Sequence, residues 1–321
     1  MYLRPLAIGA STFIPGMRRL LTQRGTGSTS SATYCYEVWL KHLVLLWAHG
    51  MRAIPKTLAE LGPGDSLGVG LAAVLCGVDH YFALDVVNYS NPRLNLAVFD
   101  ELIALLRNRT PRTHTGWPDY DQYLDDNLFP SHILTDTVLE KSLAPSRIER
   151  IRAVLEKRER ASHEITIEYR APWLDDDVID QESVDVVLSH AVLQSVLELD
   201  RTYAALYAGL KPGGSMSHQI DFTSFRTSRQ WNGHWAYSEA VWKVIVGKRP
   251  YLINREPHST HVDLLRKHGF ELVCDLQNYS NEPGIRRSQL SARWNRIGED
   301  DFACAGAFIQ ARKPEIRVHA V

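Results

Sequence analysis

The chain has 321 residues, 45% hydrophobic and 23% charged, enough apolar material to bury a core in one large domain or two modest ones. That composition excludes a disordered chain, a coiled coil and a collagen-like fibre. Lys plus Arg (36) balances Asp plus Glu (37) to a net charge of −1, so nothing in bulk electrostatics points to nucleic acid or an anionic membrane.

Residues 1–50 read as an N-terminal extension. Residues 23–33 are small and polar, a hinge by composition, and Val38, Leu40, Leu43, Leu46 and Trp47 then recur near helical spacing up to a stop at Gly50. That helix is either a lid over a ligand pocket, with Tyr34 and Tyr36 reaching in, or a packed element with both tyrosines in the core. Val38–Ala48, the longest apolar stretch, is broken by Lys41 and His42 and falls short of the ~20 residues a membrane span requires. The first residues lack a clear cleavage site, so no signal peptide is expected. Cys35, Cys76, Cys274 and Cys304 are too scattered for a disulfide framework or zinc site, and each sits in an apolar run. Reduced buried thiols and a cytoplasmic location are the expectation.

From residue 51 to 321 the rhythm is strand, helix, strand. Strands are expected at Thr57–Leu61, Tyr81–Val87, Ile165–Tyr169, Val184–Leu188, Ser215–Ile220, Glu271–Leu276 and Phe302–Gln310. Helices are expected at Gly70–Cys76, at Leu193–Leu210, and from Thr260, with Asp263 in a capping box, to Gly269. About 90–160 form an insertion, with an Asn91-Pro92 helix start and a Ser146/Glu149 capping box; such insertions often set substrate choice. The pattern predicts an α/β fold: a Rossmann-like, seven-stranded, mostly parallel sheet with helices on both faces, an N-terminal helical extension and a helical insertion after the second strand.

The most informative stretch is Ala59-Glu60-Leu61-Gly62-Pro63-Gly64-Asp65-Ser66-Leu67-Gly68, which joins a strand to a helix. Its GxGxxxG spacing is neither the GxGxxG of a dinucleotide loop nor a Walker loop. About twenty residues on, Asp85 ends the second strand, where a carboxylate can grip two ribose hydroxyls. Asp65 would repel a pyrophosphate and would tolerate a sulfonium. A plain tight turn is the competing reading of the loop, and a solvated strand end that of Asp85.

With these residues the chain resembles the class I S-adenosylmethionine-dependent methyltransferases over roughly Leu58–Lys313. The likeness rests on Glu60–Gly68, Asp85, Val184–Leu193 and Leu210-Lys211-Pro212-Gly213-Gly214 in that order. Ser66 departs from the family's third loop glycine. The YCYEVWLKHL segment and the HQID after the fifth strand further resemble a bacterial subgroup associated with sugar or surface-glycan methylation. The resemblance implies that Glu60, Gly62 and Gly64 line the methionine half of the cofactor, that Asp65 and Ser66 of the same loop also bind the cofactor, and that Asp85 binds the ribose. It places Val86 and Ala171 beside the adenine, and Ser189 and His190 toward the sulfonium and the acceptor.

Methyl transfer is an in-line displacement from an activated donor, so catalysis is mostly orientation, and a hydroxyl acceptor gains from a general base. The base candidates are His218, oriented by Asp221, then His190 and His234; each competes with a histidine that merely bonds backbone. No spacing signature supports a metal at His218, Asp221 and His234, so none is expected. Trp231 and Trp235 suit a saccharide face as well as a core, and Asn254 and Arg255 can bond an acceptor or serve structure. The reading is methyl transfer to a small-molecule or glycan-linked acceptor, at oxygen. An amine acceptor, a non-catalytic partner subunit and an NAD-dependent oxidoreductase are the alternatives.

Overall fold

The computed structural model describes residues 3–16, 28–113, 116–157, 164–173, 179–249 and 251–315. Its strands are β1 (Thr57–Leu61), β2 (His80–Leu84), β3 (Thr166–Arg170), β4 (Val184–His190), β5 (Leu210–Asp221), β6 (Glu271–Tyr279) and β7 (Cys304–Arg312). They form one sheet in the order β3-β2-β1-β4-β5-β7-β6. The first five run parallel, and β7 lies antiparallel between β5 and β6. The expected α/β architecture is present. Because β1 has β2 on one side and β4 on the other, the chain reverses its winding there, which opens a crevice at the carboxyl ends of β1 and β4.

The helices are α1 (Leu3–Ser11), α2 (Ala32–Ala48), α3 (Gly68–Leu75), α4 (Pro92–Arg107), α5 (Asp136–Ser142), α6 (Pro145–Leu155), α7 (Leu199–Gly209), α8 (Glu239–Val246), α9 (His258–Lys267) and α10 (Glu299–Ala303). No helix among the described residues is long and apolar enough to cross a membrane. Residues 23–27 of the expected hinge lie outside the described residues; Ser31, at its end, caps α2 by accepting the Tyr34 N–H at 3.3 Å. Asn91 caps α4 as expected, accepting from the N–H groups of Arg93 and Leu94, with Pro92 next to it.

Two expected capping boxes are absent. Pro145, preset for the first helical turn, starts α6 with Ala144 as its cap, so Ser146 falls inside the helix. Helix α9 likewise starts at His258 behind Pro257, two residues before Thr260. The helix expected over Leu193–Leu210 is a 3₁₀ turn at Leu193–Ser195 followed by α7. The intervening residues form a wall of the cavity described below.

Helix α2 is apolar nearly all round, and such a helix belongs in a core. Cys35, Tyr36, Trp39, Leu40, Leu43 and Leu45 are buried in one cluster with α3, α4, Leu58 of β1 and Phe308 of β7. The helix is packed into the core along most of its length, and Tyr36 is buried with it, its hydroxyl donating to the Thr110 carbonyl at 2.7 Å. The insertion lies against the same helix. Tyr120, Phe129 and Leu134 share its cluster, and Glu37 accepts from the Thr113 backbone N–H and hydroxyl. The insertion therefore covers the core and, among the described residues, contributes no wall to the cavity. The second face of the sheet is covered by α7 and α9 through Tyr203, Leu206 and Leu265. All four cysteines are buried and unpaired.

Candidate functional site

A cavity of about 570 Å³ opens at the carboxyl ends of β1, β2 and β4, in the crevice that the sheet order creates. One wall is the loop after β1. Gly62 (φ +64°) and Gly64 (φ +80°) both take the left-handed conformation. A side chain at Gly62 would meet the Val192 methyls at 2.6 Å, so only glycine lets the two walls approach.

Glu60, at the end of β1, does not line this cavity. Its Oε2 accepts from the Tyr81 hydroxyl at 2.6 Å and the Gly70 N–H at 3.1 Å, and burial pushes its carboxyl up to about 7. It ties β1 to α3 and β2, a structural part rather than the ligand contact expected of it. Ser66 is buried too, its hydroxyl donating to the Thr29 carbonyl. The Asp65 N–H donates to the Thr29 hydroxyl oxygen at 2.9 Å, so the segment before α2 is stitched onto the glycine loop. Thus Ser28 and Thr29 reach the cavity, and of the helix behind them only Tyr34 does.

Asp85 sits where expected. It is only 7% exposed, and burial raises its carboxyl above the usual range. Its Oδ1 accepts the Val86 N–H at 2.7 Å. The Tyr169 hydroxyl lies 3.3 Å from Oδ2, yet its one hydrogen has a nearer acceptor in the Val87 carbonyl at 3.1 Å. Oδ2 is therefore left with lone pairs to offer. Val86 is exposed in the cavity beside it. Ala171 is exposed and outside; the flat wall at that position is Trp173, two residues on.

The fourth strand delivers one histidine to the cavity and hides its neighbour. His190 lines the wall, followed by Ala191 in the left-handed conformation (φ +56°), where the chain leaves the sheet. Burial, with the nearby Lys41 ammonium second, holds His190 down to about 3, so it is neutral at pH 7. Ser189, one residue earlier, points to the opposite face and is fully buried against His218, Oγ to Nδ1 2.7 Å.

The expected base His218 is thereby corrected. It has no exposure and does not line the cavity, and burial holds it at about 3. Its proposed partner Asp221 instead caps the next turn, accepting the Thr223 N–H at 2.7 Å. His234 is buried against the Trp235 ring at 4.6 Å, also away from the cavity. Among the described residues no group of three or more His, Cys, Asp and Glu could hold a metal ion.

The expected acceptor residues mostly serve structure. Trp235 is fully buried and donates to the Arg255 carbonyl at 2.8 Å, while Trp231 donates to the Glu282 carbonyl at 3.1 Å. Arg255 is buried between Trp242 and Trp294 and bonds the Tyr237 carbonyl and Glu239. Asn254 donates to the Leu193 and Val196 carbonyls at 2.8 and 2.7 Å, holding the cavity wall that runs through Ser195 and Val196. The aromatic side chains that line the cavity are instead Tyr34, Tyr89, Trp173, Phe225 and Tyr251, with Leu197 among them. Tyr89 and Tyr251 bond each other at 3.2 Å, and Phe225 is 62% exposed on a left-handed turn. Trp173 ends the same Tyr169–Trp173 segment in which Ala171 was the expected contact, and the Ser28–Thr29 pair lies inside the stretch expected to be a hinge. Phe225 and Tyr251 carried no local signal.

No protein-family model matches the chain, and no curated protein matches it significantly. Solved structures overlap it loosely. A SAM-dependent methyltransferase from Methanosarcina mazei superposes with a TM-score of 0.44 at 13% identity, over 84% of this chain and 97% of that one. An S-adenosylmethionine dependent methyltransferase from Mesorhizobium loti gives 0.41 at 15%, over 84% and 95%. Phosphoethanolamine N-methyltransferase 2 from Haemonchus contortus, in complex with S-adenosyl-L-methionine, gives 0.41 at 14%, over 88% and 57%. At such overlaps none of them assigns a role to a residue of this chain.

Proposed function

We propose that the cavity binds S-adenosylmethionine and that the protein transfers its methyl group to a hydroxyl oxygen of a small acceptor. The observation that carries this reading is Asp85, a buried carboxylate with an open oxygen at the end of β2, facing the glycine loop of β1 across one cavity. Two adjacent ribose hydroxyls suit that oxygen, since a carboxylate only accepts hydrogen bonds. Trp173 and Val86 supply apolar surface for a flat base, and Gly62 and Gly64 bring backbone close to the remainder. When bound, S-adenosylmethionine supplies a methyl carbon already activated on a sulfonium.

The chain's own residues then orient the acceptor. Tyr34, Phe225 and Tyr251 exclude water and clamp a small molecule with an apolar or aromatic face. His190 offers the cavity a neutral imidazole to hold the hydroxyl hydrogen. A saccharide-linked acceptor loses its support, because Trp235 and Arg255 are buried elsewhere. Calorimetric titration with S-adenosylhomocysteine and, separately, NADH tests the reading: binding of the first and not the second supports it, and the reverse overturns it. Release of S-adenosylhomocysteine over a panel of hydroxyl and amine acceptors then separates an enzyme from a non-catalytic binding subunit, and oxygen from nitrogen.

A further inference from the structure

A line of buried polar groups runs from the cavity wall into the layer between α2 and the sheet. His190 Nδ1 lies 3.3 Å from His42 Nε2, and His42 Nδ1 lies 2.7 Å from the Ser217 hydroxyl. Ser217 meets the Gln310 side-chain amide at 3.0 Å. His42, Ser217 and Gln310 have no exposure, come from α2, β5 and β7, and touch no part of the cavity. We propose that Gln310, Ser217 and His42 are positioning residues that fix the tautomer of His190, so that its Nε2 meets the cavity as an unprotonated hydrogen-bond acceptor. Its use on an acceptor hydroxyl rests on the methyl-transfer reading; the tautomer itself does not.

The direction of every bond follows from Gln310. With its oxygen toward the Leu46 N–H (3.1 Å) and the Ser217 hydroxyl (3.0 Å), and its nitrogen toward the Leu45 carbonyl (3.0 Å) and His49 Nδ1 (2.9 Å), the amide has a partner at both ends. The opposite orientation sets oxygen against the Leu45 carbonyl and N–H against the Leu46 N–H, and it offers the oxygen only His49 Nδ1, whose hydrogen has a nearer acceptor in the Leu45 carbonyl at 2.7 Å. With the amide so placed, Ser217 donates its only hydrogen to Gln310 and keeps lone pairs for His42. His42 Nδ1 must then carry a hydrogen. Burial, then His190 and Lys41, holds His42 well below the ordinary histidine range, so it is neutral and its Nε2 is bare. That bare nitrogen accepts from His190 Nδ1, which leaves the Nε2 of a neutral His190 without a hydrogen. His190 Nε2 has no partner among the described residues, and the ring lines the cavity edge-on to Tyr34.

The chain of bonds orients rather than conducts. An amide has no titrating proton, so Gln310 cannot pass one along, and the line acts as a one-way setting of donors and acceptors. A cavity whose histidine accepts selects a ligand group that donates there, a hydroxyl or an N–H, and disfavours a bare carbonyl or carboxylate.

The test is nuclear magnetic resonance of the full chain with ¹⁵N-labelled histidine at pH 7.5. His190 is assigned by its loss in His190→Gln. The proposal expects His190 as the Nδ1–H tautomer in the unsubstituted protein. Ser217→Ala removes the acceptor for His42, and the single His190 signature should give way to a mixture; Ser217→Thr, which restores the hydroxyl, should restore it. A His190 found as the Nε2–H tautomer overturns the proposal, as does a Ser217→Ala spectrum identical to the parent's. Should Ser217→Ala not fold, the parent spectrum alone decides. Failure to bind S-adenosylhomocysteine would overturn the methyl-transfer reading and leave this measurement standing, so the two failures are distinguishable.

Discussion

Replacing Asp85 with Asn changes one atom of the side chain and isolates the role given to its carboxylate. The amide oxygen can still accept the Val86 N–H, now at 2.7 Å, so the turn after β2 keeps its bond. The second position becomes an NH₂, which donates where a carboxylate oxygen accepted. Asp85 is only 7% exposed, so the lost bonds are little screened by water. Hydrogen bonds to a charged group contribute about 1.5–3 kcal/mol each, and two ribose hydroxyls give about 3–6 kcal/mol. That corresponds to a loss of about 10²–10⁴ in affinity. Calorimetry with S-adenosylhomocysteine at pH 7.5 measures it, and the melting temperature checks that the fold survives. A dissociation constant within threefold of the parent's, in a folded variant, would show that Asp85 does not hold the ribose.

Once an acceptor is in hand, His190→Gln should keep S-adenosylhomocysteine affinity and lose about 10²-fold in turnover, the cost of a misplaced acceptor. His218→Asn should cost stability yet leave turnover per folded molecule near the parent's; the opposite pattern, read by steady-state kinetics, would return the role to His218. Leu43→Ala, in the buried face of α2, should destabilise by about 2–5 kcal/mol in urea unfolding, whereas a detachable lid would lose under 1 kcal/mol. Acid should unfold the protein early. His218, His234 and His261 are held at about 3 by burial, so below ~6.5 the unfolded chain binds protons that the fold refuses. Their stabilising share is full above ~6.5 and is lost as pH falls toward 3, by about 2 kcal/mol each at pH 5. Glu60, raised to about 7, works the other way between 7 and 4.5, one carboxyl against several imidazoles. A urea midpoint unchanged or higher at pH 5 than at 7.5 would refute this.

Features that rest on neighbours along the chain can be read from residue order. Apolar runs, glycine spacing and the Asn91-Pro92 start depend on local geometry, so the seven strands, the β1 loop and the place of Asp85 were legible from residue order. Tertiary structure decided which of several equal candidates shares the cavity. Ser189 and His190 are adjacent on β4 and face opposite ways; only the placement of the sheet between its two layers says which side is cavity and which is core. The same holds for Trp235, Arg255 and His234, aromatic and polar residues whose chemistry fits a ligand and whose position makes them packing. Phe225 and Tyr251 reach the cavity from loops far apart in sequence, and the line from His190 to Gln310 joins one helix and three strands. Such groups meet only because hydrophobic burial of α2 against the sheet brings them within hydrogen-bond distance, and no spacing along one chain encodes that distance.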